Sequence, residues 1–542
     1  MLAINARAEL LSTNHYKQKL TMKNYLLAVS FSIGIISNLF AQQEVVDQDL
    51  IQKIRSEGLN NSQVMKTAFY LTDVSGPRLS NSPGLRRAQD WAINTLKSYG
   101  LQNVKLEPWG KFGKGWQVEK TYAAMTAPYY QAIIASPKAW TPGTNGPVKS
   151  EIVLIDISKI DTIQQLESFK GKLNGKIVIF DSPTVLSTTF KADGKRYTEE
   201  ELSALAAPSV EMARPGRSFT PEQMAQIRKS RAMRTKITDF LKAENAALLL
   251  SLSRGAHGTL FTTNGASYAE DAPTVLPELE MSSEDYLRII RLIKGGIKVE
   301  LEADIKTQFF SNDLQGYNVI AEIPGTDKDL KDEIVMLGGH LDSWHAATGA
   351  TDNAAGCAVM MEAVRIISSL NLRPKRTIRI ALWSSEEQGL HGSRGYVVNH
   401  FGDPKTMVLK PEHKKISAYY NLDNGTGKIR GIYLQGNFAA GPIFQTWLNP
   451  FKDLEASTVT HRNTGGTDHL AFDALGIPGF QFIQDEIDYD TRTHHTNMDT
   501  YDRLIANDLK QSATIAAAFV YNTAQRDLKI PRKELPKSTA TN

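Results

Sequence analysis

The sequence predicts an α/β protein: a mainly parallel sheet with helices on both faces, interrupted by an inserted β-rich module. Three observations point there. From about residue 312 onward, buried-strand patterns alternate with helical ones. Between about 119 and 305 the texture shifts to short β-rich runs separated by Gly, Pro and Ser. The 542 residues also exceed the roughly 250–300 at which a single core stops growing, so at least two domains are expected. With 41% hydrophobic and 22% charged residues, the composition argues against disorder, collagen-like repeats and coiled coil.

Taken in order, the first 41 residues carry Arg7, Lys17, Lys19 and Lys23 against Glu9, most of the formal +4 of the whole chain. The rest is nearly balanced, which excludes a nucleic-acid binder or a strongly anionic-surface binder. Met22-Lys23-Asn24 precedes an apolar run from Tyr25 to Phe40 that ends at Ala41-Gln42-Gln43. This reads as a secretory signal peptide behind an upstream extension, so a secreted or periplasmic protein is expected, with no membrane span in the mature chain. The single cysteine, Cys357, excludes an internal disulfide, a cysteine-rich zinc site and a lipoprotein anchor.

Residues 42–118 form the first segment of the larger domain. Helical patterns (Val64, Ala68, Leu71, then Leu85, Ala88, Ala92, Leu96) lead to a strand at Asn103–Glu107. Residues 119–305 are the insert, with strands at Glu151–Ile155 and Lys176–Phe180 and a polar helical stretch, 198–245. That stretch carries Arg214, Arg217, Arg228, Lys229, Arg231, Arg234 and Lys236, a solvated cationic face. Residues 306–528 are the main segment, with buried strands at Tyr317–Ile323, Glu333–Leu337, Thr377–Trp383 and Ile416–Leu422 and helices at 353–370 and 389–400. Residues 529–542 read as a polar tail.

In a parallel sheet, ligands bind beyond the carboxyl ends of the strands. There the sequence places His340, Glu386-Glu387 and Asp423, with Asp352 opening a helix and His495 in a later loop. One such residue would be an ordinary cap or turn. Two histidines with three carboxylates, His340, Asp352, Glu387, Asp423 and His495, are the nitrogen and oxygen donors suited to zinc, and two open sites need about this many. One carboxylate then bridges, and Asp352 is the expected bridge. His340 and Asp423 fall to one ion, Glu387 and His495 to the other. Glu386, next to a ligand but pointing elsewhere, is the expected general base for the bridging water. Asp342, two residues after His340, is expected to fix that imidazole's tautomer through its other nitrogen.

The ordered set GGHLDSW, TDNAAG, SSEEQGLHGS, NLDNG and HHT resembles the secreted co-catalytic di-zinc aminopeptidases and carboxypeptidases, in particular their plasma glutamate carboxypeptidase branch. SGPRLSNSPG (75–84) and GYNVIAEIPG (316–325) match the entry and re-entry of that family's catalytic domain. The resemblance implies the zinc exopeptidase fold with a protease-associated insert. It also implies two zinc ions on the five ligands above, Glu386 as catalytic carboxylate, a short peptide substrate, and an assembly compatible with a homodimer. His494 stands where several relatives carry an oxyanion-holding tyrosine, and the family often has a cis peptide after the bridging aspartate, here Asp352-Asn353. Asn353 replaces an acidic residue expected in the animal enzymes. Asp468 either reads a substrate amine or caps its loop. Two other functions stay open: a glutaminyl-cyclase-like transferase with one zinc, and a binding or receptor homologue without chemistry. The first is disfavoured by the full ligand set and the insert, the second by the intact ligands.

Overall fold

A computed structural model of the protein describes residues 44–207 and 220–538. The signal-peptide reading and residues 208–219 of the basic stretch lie outside the described residues. The strands, in chain order, begin with β1 (Gln102–Lys111), β2 (Gly115–Ala127), β3 (Gln131–Ala132), β4 (Ala135–Pro137), β5 (Val148–Ile155) and β6 (Ile177–Phe180). They continue with β7 (Leu248–Leu252), β8 (Glu278–Met281), β9 (Glu300–Phe310), β10 (Gln315–Ile323), β11 (Ile334–His340) and β12 (Thr377–Trp383). The last are β13 (Gly402–Asp403), β14 (Val408–Leu409), β15 (Ile416–Asn421), β16 (Ile429–Tyr433), β17 (Thr458–Thr460) and β18 (Gly479–Gln484).

The first sheet runs β1-β10-β12-β11-β15-β18-β16-β17. Its centre, β12-β11-β15-β18, is parallel as expected. These strands are apolar and buried on both sides, which is what helices on both faces require. On one face Ile334, Met336, Trp383 and Tyr419 pack with Tyr396, Val397 and Phe472 of the helices His391–His400 and His469–Asp473. Helices Gln48–Asn60, Ala355–Ser369 and Ala506–Gln525 pack together on the sheet elsewhere.

The sheet as a whole is mixed, which corrects the mainly parallel expectation at its margins: β1/β10, β10/β12 and β18/β16 are antiparallel. The chain's path explains the first of these. β1 continues through Phe112–Lys114 into β2 of a second sheet, and β9 returns into β10. The outgoing and returning strands pair antiparallel in both sheets, β1 with β10 and β2 with β9. Gly113 sits at the crossing with φ 134°, where an added Cβ would lie 2.3 Å from the Tyr268 carbonyl.

The second sheet, β3-β2-β9-β5-β6-β7-β8-β4, spans residues 115–310. It is less purely β than its sequence suggests, because β5-β6-β7-β8 is parallel and parallel strands need crossovers. Helix Ser283–Lys294 covers one core through Tyr286, Ile289 and Ile290. Helix Pro221–Ala243 covers the other through Ile237 and Leu241, leaving Arg228, Lys229, Arg231 and Lys236 exposed as expected. The stretch before that helix departs from the expectation. Residues 181–207 leave the second sheet and lie as a strap on the first. Lys195 and Ile487 exchange backbone hydrogen bonds of 2.9 Å, and Arg196 joins Asp485 (2.8 Å) to Asp508 (2.7 Å), both buried. The start of the expected polar tail is docked too: Ile530 is buried, and its N–H donates to Ser417 Oγ. Among the described residues, no helix is long and apolar enough to cross a membrane.

One buried acid makes this fold pH-sensitive. Glu280 on β8 is 8% exposed, its Oε2 has no hydrogen-bond partner among the described residues, and burial pushes its carboxyl up to about 8, with Lys138 opposing and Glu278 reinforcing. The folded protein therefore keeps a proton that the unfolded chain releases near its ordinary value of 4.5. Stability falls as pH rises between those two values. In thermal melts, Glu280→Gln should match the wild type near pH 4 and exceed its Tm progressively toward pH 9. A gap that does not change with pH would contradict this.

Candidate metal centre

Four adjacent parallel strands bring the site together. His340 is the last residue of β11, Glu386-Glu387 follow the end of its neighbour β12, and Asp423 follows β15 on the other side. His495 lies in the loop beyond β18 with φ 63°, and Asp352 lies between β11 and its following helix, joined to Asn353 by a cis peptide.

His340 Nε2 lies 3.2 Å from Asp352 Oδ1 and 3.2 Å from Asp423 Oδ1. His495 Nε2 lies 3.0 Å from Asp352 Oδ2 and 2.8 Å from Glu387 Oε2. Each imidazole nitrogen thus faces two carboxylate oxygens, although Nε2 carries at most one hydrogen. Asp352 Oδ2 and Glu387 Oε1 are buried with no hydrogen-bond partner among the described residues. The spacings approach the roughly 3.3 Å edge of a tetrahedron whose bonds to zinc are about 2.0–2.1 Å. Two groups here, His340-Asp352-Glu387 and Asp352-His494-His495, could hold a metal ion. Both the donor set and its unsatisfied atoms fit one.

The electrostatics show why a cation suits this place. Burial opposes charge on both histidines, yet the carboxylates prevail. Asp423 and Glu386 raise His340 well above its ordinary value, and Glu387 and Asp352 raise His495 to about 11. Asp352 is held well below the carboxylate range by the two imidazoles, against the cost of its burial. Glu387 is pushed up to about 7 by burial, with His495 opposing. Glu386 is raised well above its ordinary value by burial and by the Asp423, Asp468 and Glu387 carboxylates, with His340 opposing. No hydrogen bond or ion pair engages its side chain among the described residues.

The Asp342 expectation needs correcting. His340 Nδ1 faces the backbone carbonyl of Asp342 at 3.0 Å, while its distance to the Asp342 carboxylate is 3.8 Å. That carboxylate accepts the backbone N–H groups of Glu386 (3.1 Å) and Glu387 (3.3 Å). The turn after β12 presents two backbone donors that the carboxylate accepts, and the main-chain carbonyl serves the imidazole. His494 sits at the rim, 35% exposed. It stacks on Tyr489 at 4.6 Å, and its Nε2 is 3.8 Å from Asp352 Oδ2. Asn353 caps the following helix by accepting from Gly356 N–H and donating to the Leu422 carbonyl. Asp468 is fully buried.

Sequence reasoning missed two supports. Asp499 accepts the N–H groups of Thr351 (2.6 Å) and Asp352 (3.1 Å), tying the His495 loop to Asp352. Arg78, fully buried, donates to the carbonyls of Leu71, Leu341, Thr348 and Gly349 on both sides of the 341–352 loop. The HHTNMD and SGPRL strings contain these residues, but nothing in their spacing distinguishes a carbonyl clamp from a surface arginine. The insert also reaches the site. Thr262 N–H donates to the His495 carbonyl (2.8 Å), and Leu260 N–H donates to Asn497 Oδ1 (2.8 Å).

Comparison with known proteins agrees with this geometry. The family model described as Peptidase family M28 matches residues 318–520, which contain every residue of the cluster. Carboxypeptidase Q of Mus musculus is 26% identical over 465 residues, covering 85% of this chain and 86% of that protein. Aminopeptidase YwaD of Bacillus subtilis (strain 168) is 25% identical over 383 residues, 66% of this chain and 78% of that protein. The crystal structure of a Peptidase M28 precursor from Shewanella amazonensis SB2B superposes with a TM-score of 0.62 at 26% identity, covering 90% of this chain and 99% of that one. Residues 318–520 thus match peptidase family M28, and the protein is a metallopeptidase.

Proposed function

We propose that the protein is an exported, zinc-dependent exopeptidase that hydrolyses the terminal bond of dipeptides and other short peptides. The observation that carries this reading is the position of Asp352, whose two oxygens each face a separate histidine–carboxylate pair. His340, Asp423 and Asp352 would hold one ion, and Glu387, His495 and Asp352 the other. Zinc bound there supplies Lewis-acid chemistry, lowering the pKa of a water and polarising a carbonyl.

The remaining steps belong to the chain's own residues. Glu386, unengaged by other side chains, takes a proton from the attacking water and returns it to the leaving amine. His494, at the open rim, donates a hydrogen bond to the oxygen that gains charge. The backbone donors to Asp342 fix the Glu386-Glu387 turn, so the base and its neighbouring ligand keep their separate directions. Residues 115–310, read as a protease-associated-like insert, meet the His495 loop through Leu260 and Thr262, and this contact supports a narrowed approach that would favour short substrates. The relatives' names point to opposite ends of a peptide, carboxypeptidase and aminopeptidase. The amino-terminal direction fits the cleft described below.

Glu386→Gln should lower turnover by on the order of 10²–10⁴. Its metal content, measured by mass spectrometry, should stay near wild type, because the base is not a ligand. Activity within a fewfold of wild type, or complete metal loss, would refute the assignment. Asp352→Ala should instead strip the metal from the protein, and a full complement of bound ions in that variant would count against the bridge. Export is checked by sequencing the amino terminus of protein recovered outside the cytoplasm, expected at or near Gln42.

A further inference from the structure

Beside the metal centre, the strap and the loop before His494 enclose a cleft of about 730 Å³ that the proposed reaction does not use. Thr189, Lys191 and Asp193 of the strap form one wall, Asp490 and Arg492 another, and Phe261 of the insert a third. The wall is firmly placed. Arg492 pairs with Asp193 at 2.6 Å, Thr491 Oγ1 donates to the Asp193 carbonyl, and the strap is pinned at Lys195 and Arg196 as described above.

One side chain, that of His494, stands between the cleft and the metal centre. Asp490 Oδ1 is 4.0 Å from His494 Nδ1, and the far nitrogen of that ring is 3.8 Å from Asp352 Oδ2. With the ring between them, the path is about 10 Å, roughly three residues of extended peptide. A peptide whose terminal bond lies at Asp352 therefore brings its fourth and fifth residues into the cleft.

The charges decide which end of the peptide arrives there. Arg492 is matched by Asp193 and Lys195 by Glu486 at 2.9 Å, while Asp490, on the wall nearest the metal centre, faces His494 at 4.0 Å. Lys191 has no acidic partner among the described residues. Between Val185 and Phe190 the strap also makes no backbone hydrogen bond to another described residue, so its amide and carbonyl groups are available to a peptide main chain.

We propose that this cleft is a subsite for the far end of an oligopeptide of about four to six residues, with the Lys191 ammonium receiving the terminal carboxylate while the amino-terminal bond lies at the metal centre. The proposal rests on the exopeptidase reading above and gives it a direction and a length.

The test is calorimetric titration of metal-loaded Glu386→Gln protein with leucine-led alanine peptides of three and five residues, each as free acid and carboxyl-terminal amide. The five-residue acid should bind about fivefold more tightly than its amide, as expected for one partly exposed ion pair, and the three-residue pair should show no such ratio. Adding Lys191→Ala should bring the five-residue ratio to about one, and Lys191→Arg should keep it. Lys191 is exposed, so neither change threatens folding. Equal affinity of the five-residue acid and amide, or a ratio that survives Lys191→Ala, would overturn the proposal. Absence of turnover by wild type on every peptide would instead refute the exopeptidase reading, and the binding ratios would still decide the cleft.

Discussion

Asp352 faces two imidazoles at once, one on each carboxylate oxygen, and much of the surrounding structure keeps it there. Its backbone N–H is held by Asp499, its loop is clamped at the carbonyls of Thr348 and Gly349 by Arg78, and the next residue caps a helix with its side chain. Such fixation has a cost. Asp342, Glu386, Glu387, Asp468 and Asp499 are all largely or wholly buried within the same region, and like charges brought together out of water raise one another's pKa. Asp499 and Asp468 are each pushed up to about 7, chiefly by burial. Bound cations would offset that accumulation, and would use the oxygens that hydrogen bonding leaves unsatisfied.

The topology explains how residues so far apart in sequence reach one place. The cluster draws on the ends of four neighbouring parallel strands, where turns are short and backbone donors are free to orient acidic side chains. The ribbon formed by β1 and β2 going out, and β9 and β10 returning, carries the second sheet away and back. The module is thereby anchored at its root, and its 255–262 loop reaches the His495 loop. The strap repeats this on a smaller scale. A buried aspartate, Asp485, accepts from Arg196, Arg430 and the Tyr197 N–H, so a segment of the insert becomes a wall beside the His494–His495 loop.

How much of this could be read in the sequence depended on range. The strands Thr377–Trp383 and Ile416–Asn421 were legible because continuous apolar runs between polar turns leave few alternatives, and His340, Glu387 and Asp423 were legible because they stand directly after such runs. The grouping of Asp352 with two opposite pairs followed from counting ligands. What escaped depended on contacts between distant segments. Asp342 is two residues from His340, yet its carboxylate is committed to N–H groups 44 and 45 positions away. Arg78 looks like any arginine near a turn until the 341–352 loop folds over it. The strap leaves no local signal, since its attachment comes from ion pairs with residues some 290 to 310 positions later. The antiparallel margins of the first sheet likewise follow from the chain's route through the insert, which no local pattern records.

The central claim is that Asp352 is shared by two metal ions. Crystals of protein purified with zinc, with diffraction recorded just above and just below the zinc absorption edge, address it directly. The account predicts two anomalous peaks per chain, roughly 3.5–4 Å apart, one on each oxygen of Asp352, the first also against His340 and Asp423 and the second against Glu387 and His495. A single peak, or two peaks of which only one touches Asp352, would contradict it.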